Sequence, residues 1–96
     1  MRVLLTEDAD ADLLQIHAYM TEWNPAAAVS LARDFEQKFV SLARFPFIGR
    51  ERSNLSKGIR SVAVGNYVIF YRIESDRVTI LRILDGRRDI DAEFQQ

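Results

Sequence analysis

The sequence predicts an α+β fold: an N-terminal strand, an antiparallel helical hairpin and then a three-stranded antiparallel sheet, forming a single domain over residues 1–96. Three observations predict it. Apolar residues recur at helical spacing from Ala9 to Leu42, β-branched and aromatic runs take over from Ile59, and Pro46, Gly49 and Gly58 punctuate the change between the two patterns.

Val3-Leu4-Leu5 reads as a short strand that stops at Thr6, a good N-cap, with Glu7 and Asp8 in the first helical turn where the helix dipole favours anions. Ala9, Leu13, Ile16 and Met20 then mark one helical face, which Leu14, His17 and Tyr19 widen into a buried stripe. Asn24-Pro25 ends this helix and starts the next, Asn as N-cap and Pro at the first helical position. The second helix runs from Pro25 to about Phe45. Ala28, Leu31, Ala32, Phe35, Phe39 and Leu42 share one of its faces, while Arg33, Glu36, Gln37 and Lys38 fall mostly off it. Two apolar faces on a short link imply the antiparallel hairpin. Residues 46–58 read as a loop.

The predicted strands are Ile59–Val64, Tyr67–Ile73 and Val78–Leu84, with Gly65-Asn66 as a two-residue hairpin turn of the primed type. With Val64 opposite Tyr67, one face carries Arg60, Val62, Val64, Tyr67, Ile69 and Tyr71, and the other carries Ile59, Ser61, Ala63, Val68, Phe70 and Arg72. Pairing Ile73 with Val78 adds Ile80, Arg82 and Leu84 to the first face and Thr79, Leu81 and Ile83 to the second. The helical hairpin can cover only one face. If it covers the side with Tyr67, Ile69 and Tyr71, the side with Val68, Phe70, Leu81 and Ile83 is left open, and so much exposed apolar surface predicts a protein partner there.

Composition narrows the function. The chain is 48% hydrophobic and 28% charged, typical of a globular protein. It has no cysteine and one histidine, so neither a disulfide framework nor a metal centre is expected, and no cofactor motif occurs. No apolar run has the length of a signal-peptide core or a membrane span, so a cytoplasmic protein is expected. Thirteen basic residues against 14 acidic argue against affinity built mainly on phosphate neutralisation, and no direct sequence-specific nucleic-acid binding is expected. The charge is nonetheless uneven. Arg44, Arg50, Arg52, Lys57 and Arg60 cluster in the middle, whereas Glu7, Asp8, Asp10 and Asp12 cluster near the start.

Ala11-Asp12-Leu13-Leu14-Gln15-Ile16 with Tyr19, then Asn24-Pro25, Phe45-Pro46-Phe47-Ile48-Gly49-Arg50, Gly58-Ile59-Arg60, Tyr67-Val68-Ile69-Phe70-Tyr71-Arg72 and Arg82-Ile83-Leu84-Asp85-Gly86-Arg87-Arg88-Asp89 follow one another in an order that resembles the ParE/RelE superfamily of toxin–antitoxin toxins. The resemblance covers nearly the whole chain. It implies the strand, helical hairpin and sheet already predicted, and a cognate antitoxin, ParD-like or other, that forms a hetero-oligomer with the chain over the sheet face carrying Val68, Phe70, Leu81 and Ile83.

Within that superfamily the residues favour the ParE branch. RelE-like ribonucleases place Lys and Arg on the sheet face with a C-terminal Tyr or His, to move protons and stabilise charge. The corresponding positions here are Ile59, Ser61 and Val68, Asp85 stands where many relatives have His, and no Tyr follows residue 71. No catalytic residue is therefore assigned. The ParE resemblance implies a non-catalytic inhibitor of DNA gyrase, with Arg87, Arg88 and Arg50 as candidate target-binding residues, although Arg87 and Arg88 also fit as solvated charges. A ribosome-dependent RelE-type endoribonuclease, or an inert antitoxin-binding relative, are the alternatives.

The remaining candidates have plainer readings. His17 reads as a helix residue with a local hydrogen bond, and Tyr67 and Tyr71 as core residues. Trp23 fits either a seal at the hairpin end or a contact anchor. Arg60 and Arg82 are expected to pair with carboxylates near the first helix or with the Arg87–Asp89 turn. Gly49 is expected to serve a backbone conformation that a side chain hinders, and Asp89, Ile90 and Phe94 to start a short helix tucked against the fold.

Overall fold

Thr6 ties the first strand to everything that follows. In the computed structural model, which describes residues 1–88 and 90–94, β1 (Arg2–Leu5) ends just before this residue. Its hydroxyl accepts from the Ala9 N–H at 3.1 Å, capping α1 (Glu7–Trp23), and donates to the Leu81 carbonyl at 3.0 Å. Asn24 serves both helices. Its N–H donates to the Met20 carbonyl, ending α1, and its side-chain oxygen accepts from the Ala27 N–H at 3.1 Å, starting α2 (Pro25–Arg44).

A single 3₁₀ turn (Pro46–Ile48) leads into β2 (Arg50–Glu51), followed by β3 (Ile59–Val64), β4 (Tyr67–Glu74) and β5 (Arg77–Asp85). Gly65 adopts φ +58°, as the primed turn between β3 and β4 requires. The sheet has five strands in the order β1-β5-β4-β3-β2. The predicted antiparallel trio is its centre. It is flanked by β1, parallel to β5, and by the two-residue β2, antiparallel to β3 within the stretch expected to be loop. The N-terminal strand was expected, but its place beside β5 depends on a partner distant in sequence, and the two residues of β2 carry too little pattern to announce a strand.

A β-bulge corrects the predicted register. Tyr71 pairs with Ile80 as expected, but Phe70 pairs with Arg82, which leaves Leu81 as an extra residue. Because side chains alternate with a period of two, everything beyond the bulge changes sides. Ile83 now pairs with Ile69 toward the helices, and Leu84 pairs with Val68 on the opposite face. The bulged edge is satisfied by α1: Asp12 accepts from the Ile83 N–H at 2.9 Å, while the Leu81 carbonyl takes the Thr6 hydroxyl.

Two cores result. Between sheet and helices lie Ala9, Phe35, Leu42, Val64, Ile69, Tyr71, Val78, Ile80 and Ile83. On the opposite face Ile59, Phe70 and Leu84 form a second core, with Leu55, Val68 and Leu81 beside it and α3 (Ile90–Phe94) across it. The open face expected from sequence is thus roofed: Phe70 is 0% exposed and Leu84 1%, while Ile83 is buried on the helix side instead. The short C-terminal helix was legible in Ile90 and Phe94, but the face it covers was not. Asp89, expected in its start, lies outside the described residues.

Candidate functional site

The four residues expected to form one partner-binding face do not stay together. Ile83 belongs to the helix-side core, whereas Val68, Phe70 and Leu81 share the second. Phe70 is the floor of that second core, with the Phe94 ring edge-on at 5.0 Å and the Arg52 guanidinium 5.5 Å from its centroid. Val68 and Leu81 are half-buried beside α3. Arg52 also donates to the Ser61 hydroxyl at 3.3 Å.

At the end of β5, Asp85 organises the basic turn. Its carboxylate accepts from the Arg87 N–H at 2.9 Å and from the Arg87 guanidinium at 3.0 and 2.7 Å. These hydrogen bonds hold the Asp85 carboxyl down at about 2, and the same pairing raises the Arg87 guanidinium. Arg88 pairs with Glu93 of α3. Arg87 and Arg88 are therefore exposed yet ion-paired, with side-chain exposures of 81% and 55%. Arg50, the third residue in the predicted set, is exposed on β2 and separated from this turn by β3 and β4. The turn rims a cleft of about 330 Å³ that includes Tyr19 and Tyr67. Burial, then the neighbouring Asp85 charge, raise the Tyr67 phenol.

Arg82 connects this end to α1. It makes a two-pronged pair with Asp12 at 2.8 and 3.0 Å, the pairing expected for it, and lies 3.5 Å from Glu93. The Asp12 hydrogen bond is the main cause of its raised pKa. Arg60 finds different partners, the Gly49 carbonyl at 2.8 Å and Glu51 at 3.1 Å, with its guanidinium 5.0 Å from the Phe47 ring centroid.

A mainly apolar concavity lies elsewhere. A groove of about 300 Å³ between α1 and α2 is lined by Leu13, Leu14, Ile16, Met20, Leu31 and Phe35, among others. Sequence reasoning missed it because it placed the widened α1 stripe in the interior. Instead, Leu14 is 63% exposed and Tyr19 59%, and His17 is exposed at the groove wall. Trp23, 71% exposed and tilted against Tyr19 at 6.2 Å, does not seal the hairpin end. The signal was the stripe's width: more apolar positions on α1 than one face of the sheet can cover.

The family model described as ParE toxin of type II toxin-antitoxin system, parDE, matches residues 3–90. The chain belongs to the ParE toxin family. It is 37% identical over 95 residues to Toxin ParE3 of Caulobacter vibrioides, covering 97% of this chain and 94% of that protein. Toxin ParE1 of the same organism is 36% identical over 81 residues, 83% of each chain. Among solved structures, a chain of the chromosomal ParDE TA system from P. aeruginosa superposes with a TM-score of 0.75 at 23% identity, covering 88% of this chain and 95% of that one, a likeness of fold.

For this ParE-family chain the sheet positions where RelE-like ribonucleases carry cations hold a buried Ile59, a buried Ser61 bound to Arg52, and a half-buried Val68. None offers a group that exchanges protons near neutral pH. The described residues contain no group of three or more His, Cys, Asp or Glu placed to hold a metal ion. No described helix is long and apolar enough to cross a membrane.

Proposed function

We propose that this ParE-family chain acts by binding rather than by catalysis: it inhibits DNA gyrase in the cytoplasm and is neutralised by a cognate antitoxin in a hetero-oligomer. The observation that carries this reading is the exposed apolar groove between α1 and α2, with Leu14 63% exposed on its wall. Such a surface suits an amphipathic segment of another protein. Val68 and Leu81 provide a second half-buried strip for the antitoxin, in place of the four-residue face expected from sequence. The basic turn of Arg87 and Arg88, with Arg50 as a separate contact, is assigned to the target.

The test is induction of the chain without its antitoxin, with DNA replication and protein synthesis followed separately. Early arrest of replication, reversed by co-expressing a short neighbouring gene product that co-purifies with the chain, is the expected result. Rapid translation arrest with cleaved messages refutes the non-catalytic reading, and absence of any growth defect refutes the toxin role.

A further inference from the structure

An exposed apolar feature lies outside both the groove between α1 and α2 and the second core. It is the 3₁₀ turn Pro46–Ile48, whose Phe47 and Ile48 are 67% and 48% exposed, with Phe45 just before it 61% exposed. Single exposed apolar residues are ordinary, but here the backbone beneath them is held from two strands. Tyr71 on β4 binds the Gly49 N–H and the Pro46 carbonyl, and Arg60 on β3 donates to the Gly49 carbonyl at 2.8 Å and to the Phe47 carbonyl at 3.4 Å. The Ile48 N–H donates to the Phe45 carbonyl at 3.1 Å. With these backbone groups satisfied inside the chain, what the turn offers outward is apolar side chain rather than a hydrogen-bonding edge. Charge flanks the tip. Arg44 and Arg50 are exposed on either side of it along the chain, and among the described residues neither forms an ion pair, whereas Glu51, the nearest acid in sequence, is taken by Arg60.

We propose that this tip is a prebuilt anchor for the target: Phe47 and Ile48 insert into an apolar pocket on the inhibited protein, and carboxylates at the rim of that pocket meet Arg44 and Arg50. The proposal rests on the reading that the chain inhibits gyrase by binding it. A tip that is already rigid loses little conformational freedom on insertion, so the burial of two large side chains is realised as affinity. Two unpaired cations beside an apolar knob call for a partner of opposite charge. The satisfied backbone offers little to base edges, which are read by hydrogen bonds, and α1 carries Glu7, Asp8, Asp10, Asp12 and Glu22 without a Lys or Arg in a chain of net charge −1, a poor match to a phosphate backbone. The partner selected is therefore a protein. Arg50, assigned above to the target, follows Ile48 by only Gly49, so the anchor extends a contact already given to that partner.

Phe47→Ser/Ile48→Ser removes the apolar side chains and none of the backbone groups that hold the turn. With folding and antitoxin affinity retained, growth inhibition on induction without antitoxin is expected to fall roughly tenfold or more, and the concentration of purified chain that inhibits gyrase supercoiling to rise by the same factor. Undiminished inhibition by the folded variant overturns the proposal. Phe47 lies over the Arg60 guanidinium, so a melting curve accompanies the assays. If the double variant melts early, Ile48→Ser, which keeps that stack, carries the expectation, and its full potency overturns the proposal. Val29→Ser, at a 60% exposed position near the start of α2, is expected to stay fully potent, and an equal loss there overturns the assignment to the tip. Arg50→Glu is expected to lower potency more than Arg50→Ala, by a margin that shrinks as salt is raised, and equal effects overturn the acidic rim. A wild-type chain that arrests growth but spares gyrase refutes the gyrase reading, and the growth arm then decides the anchor alone. One that arrests nothing refutes both. Binding of the free chain to a short DNA duplex that falls in parallel with potency gives the tip to DNA and overturns the protein pocket. Tip variants of unchanged potency that lose antitoxin affinity or self-association overturn the proposal in favour of those partners.

Discussion

The buried hydroxyl of Tyr71 accepts a hydrogen bond from the Gly49 N–H at 2.8 Å and donates one to the Pro46 carbonyl at 2.7 Å. One side chain on β4 therefore clamps both ends of the turn that carries the exposed Phe47 and Ile48. Gly49 has an ordinary extended backbone at φ −74°, so the expectation that it serves an unusual conformation is corrected. It is needed because a Cβ there would run into the hydroxyl and ring of Tyr71. Burial, the larger cause, raises the Tyr71 phenol against the opposing effect of the Gly49 hydrogen bond.

Gly49→Ala is expected to destabilise the fold by about 1–3 kcal/mol, as overpacking does. Tyr71→Phe is expected to cost about 1–3 kcal/mol by leaving the Gly49 N–H and Pro46 carbonyl without their partner. The double variant should cost less than the sum, because removing the hydroxyl removes the nearest of the clashing atoms. Urea titration of the four proteins measures this coupling, and strict additivity contradicts the clamp.

Asp12→Ala should rank among the most destabilising single changes outside the core, at roughly 2–4 kcal/mol, since it removes the two-pronged partner of Arg82, leaving it only Glu93, and leaves the Ile83 N–H unsatisfied in a half-buried place. Asp12→Asn can still accept from the Ile83 N–H and should recover part of the loss. Thermal melting of both variants checks the order.

The Asp85 carboxyl sits at about 2 in the folded chain, below its ordinary 3.8. A depressed folded-state value means that this group's contribution to stability is complete above about pH 4 and is lost as pH falls through about 2. Asp85→Asn should flatten that part of the acid limb in a chemical-denaturation series. An unchanged acid limb contradicts the assigned pairing with Arg87.

Leu14→Glu should weaken antitoxin binding by at least tenfold, about 1.4 kcal/mol, with little effect on folding, because its side chain is exposed until a partner desolvates it. Calorimetry on the folded variant reads the loss. Phe70→Glu is expected instead to unfold the chain, since Phe70 has no exposure.

Arg87→Ala/Arg88→Ala should reduce growth inhibition while retaining most antitoxin affinity. Melting curves must accompany the growth assay, because both arginines are ion-paired and the change also takes a partner from Asp85 and one of two from Glu93. Full toxicity from a folded double variant moves the target contact to Arg50 and its loop.

The sequence by itself determined what is local. Thr6 and Asn24 announce the helix starts, the Ala28 to Leu42 stripe gives the face of α2, and Gly65-Asn66 sets the hairpin and the β3–β4 register, because capping, helical period and turn chemistry act over a few residues. Only the tertiary structure decided the rest. The bulge at Leu81 is stabilised by Thr6 and Asp12, whose contacts span 75 and 71 residues, and that one extra residue sends Ile83 to the helix side. Likewise Phe70 is buried because the chain folds α3 back over it, and Leu14 is exposed because α1 meets the sheet and α2 with only part of its apolar stripe. Such outcomes depend on how distant elements compete for the same surface, which no spacing along the chain records.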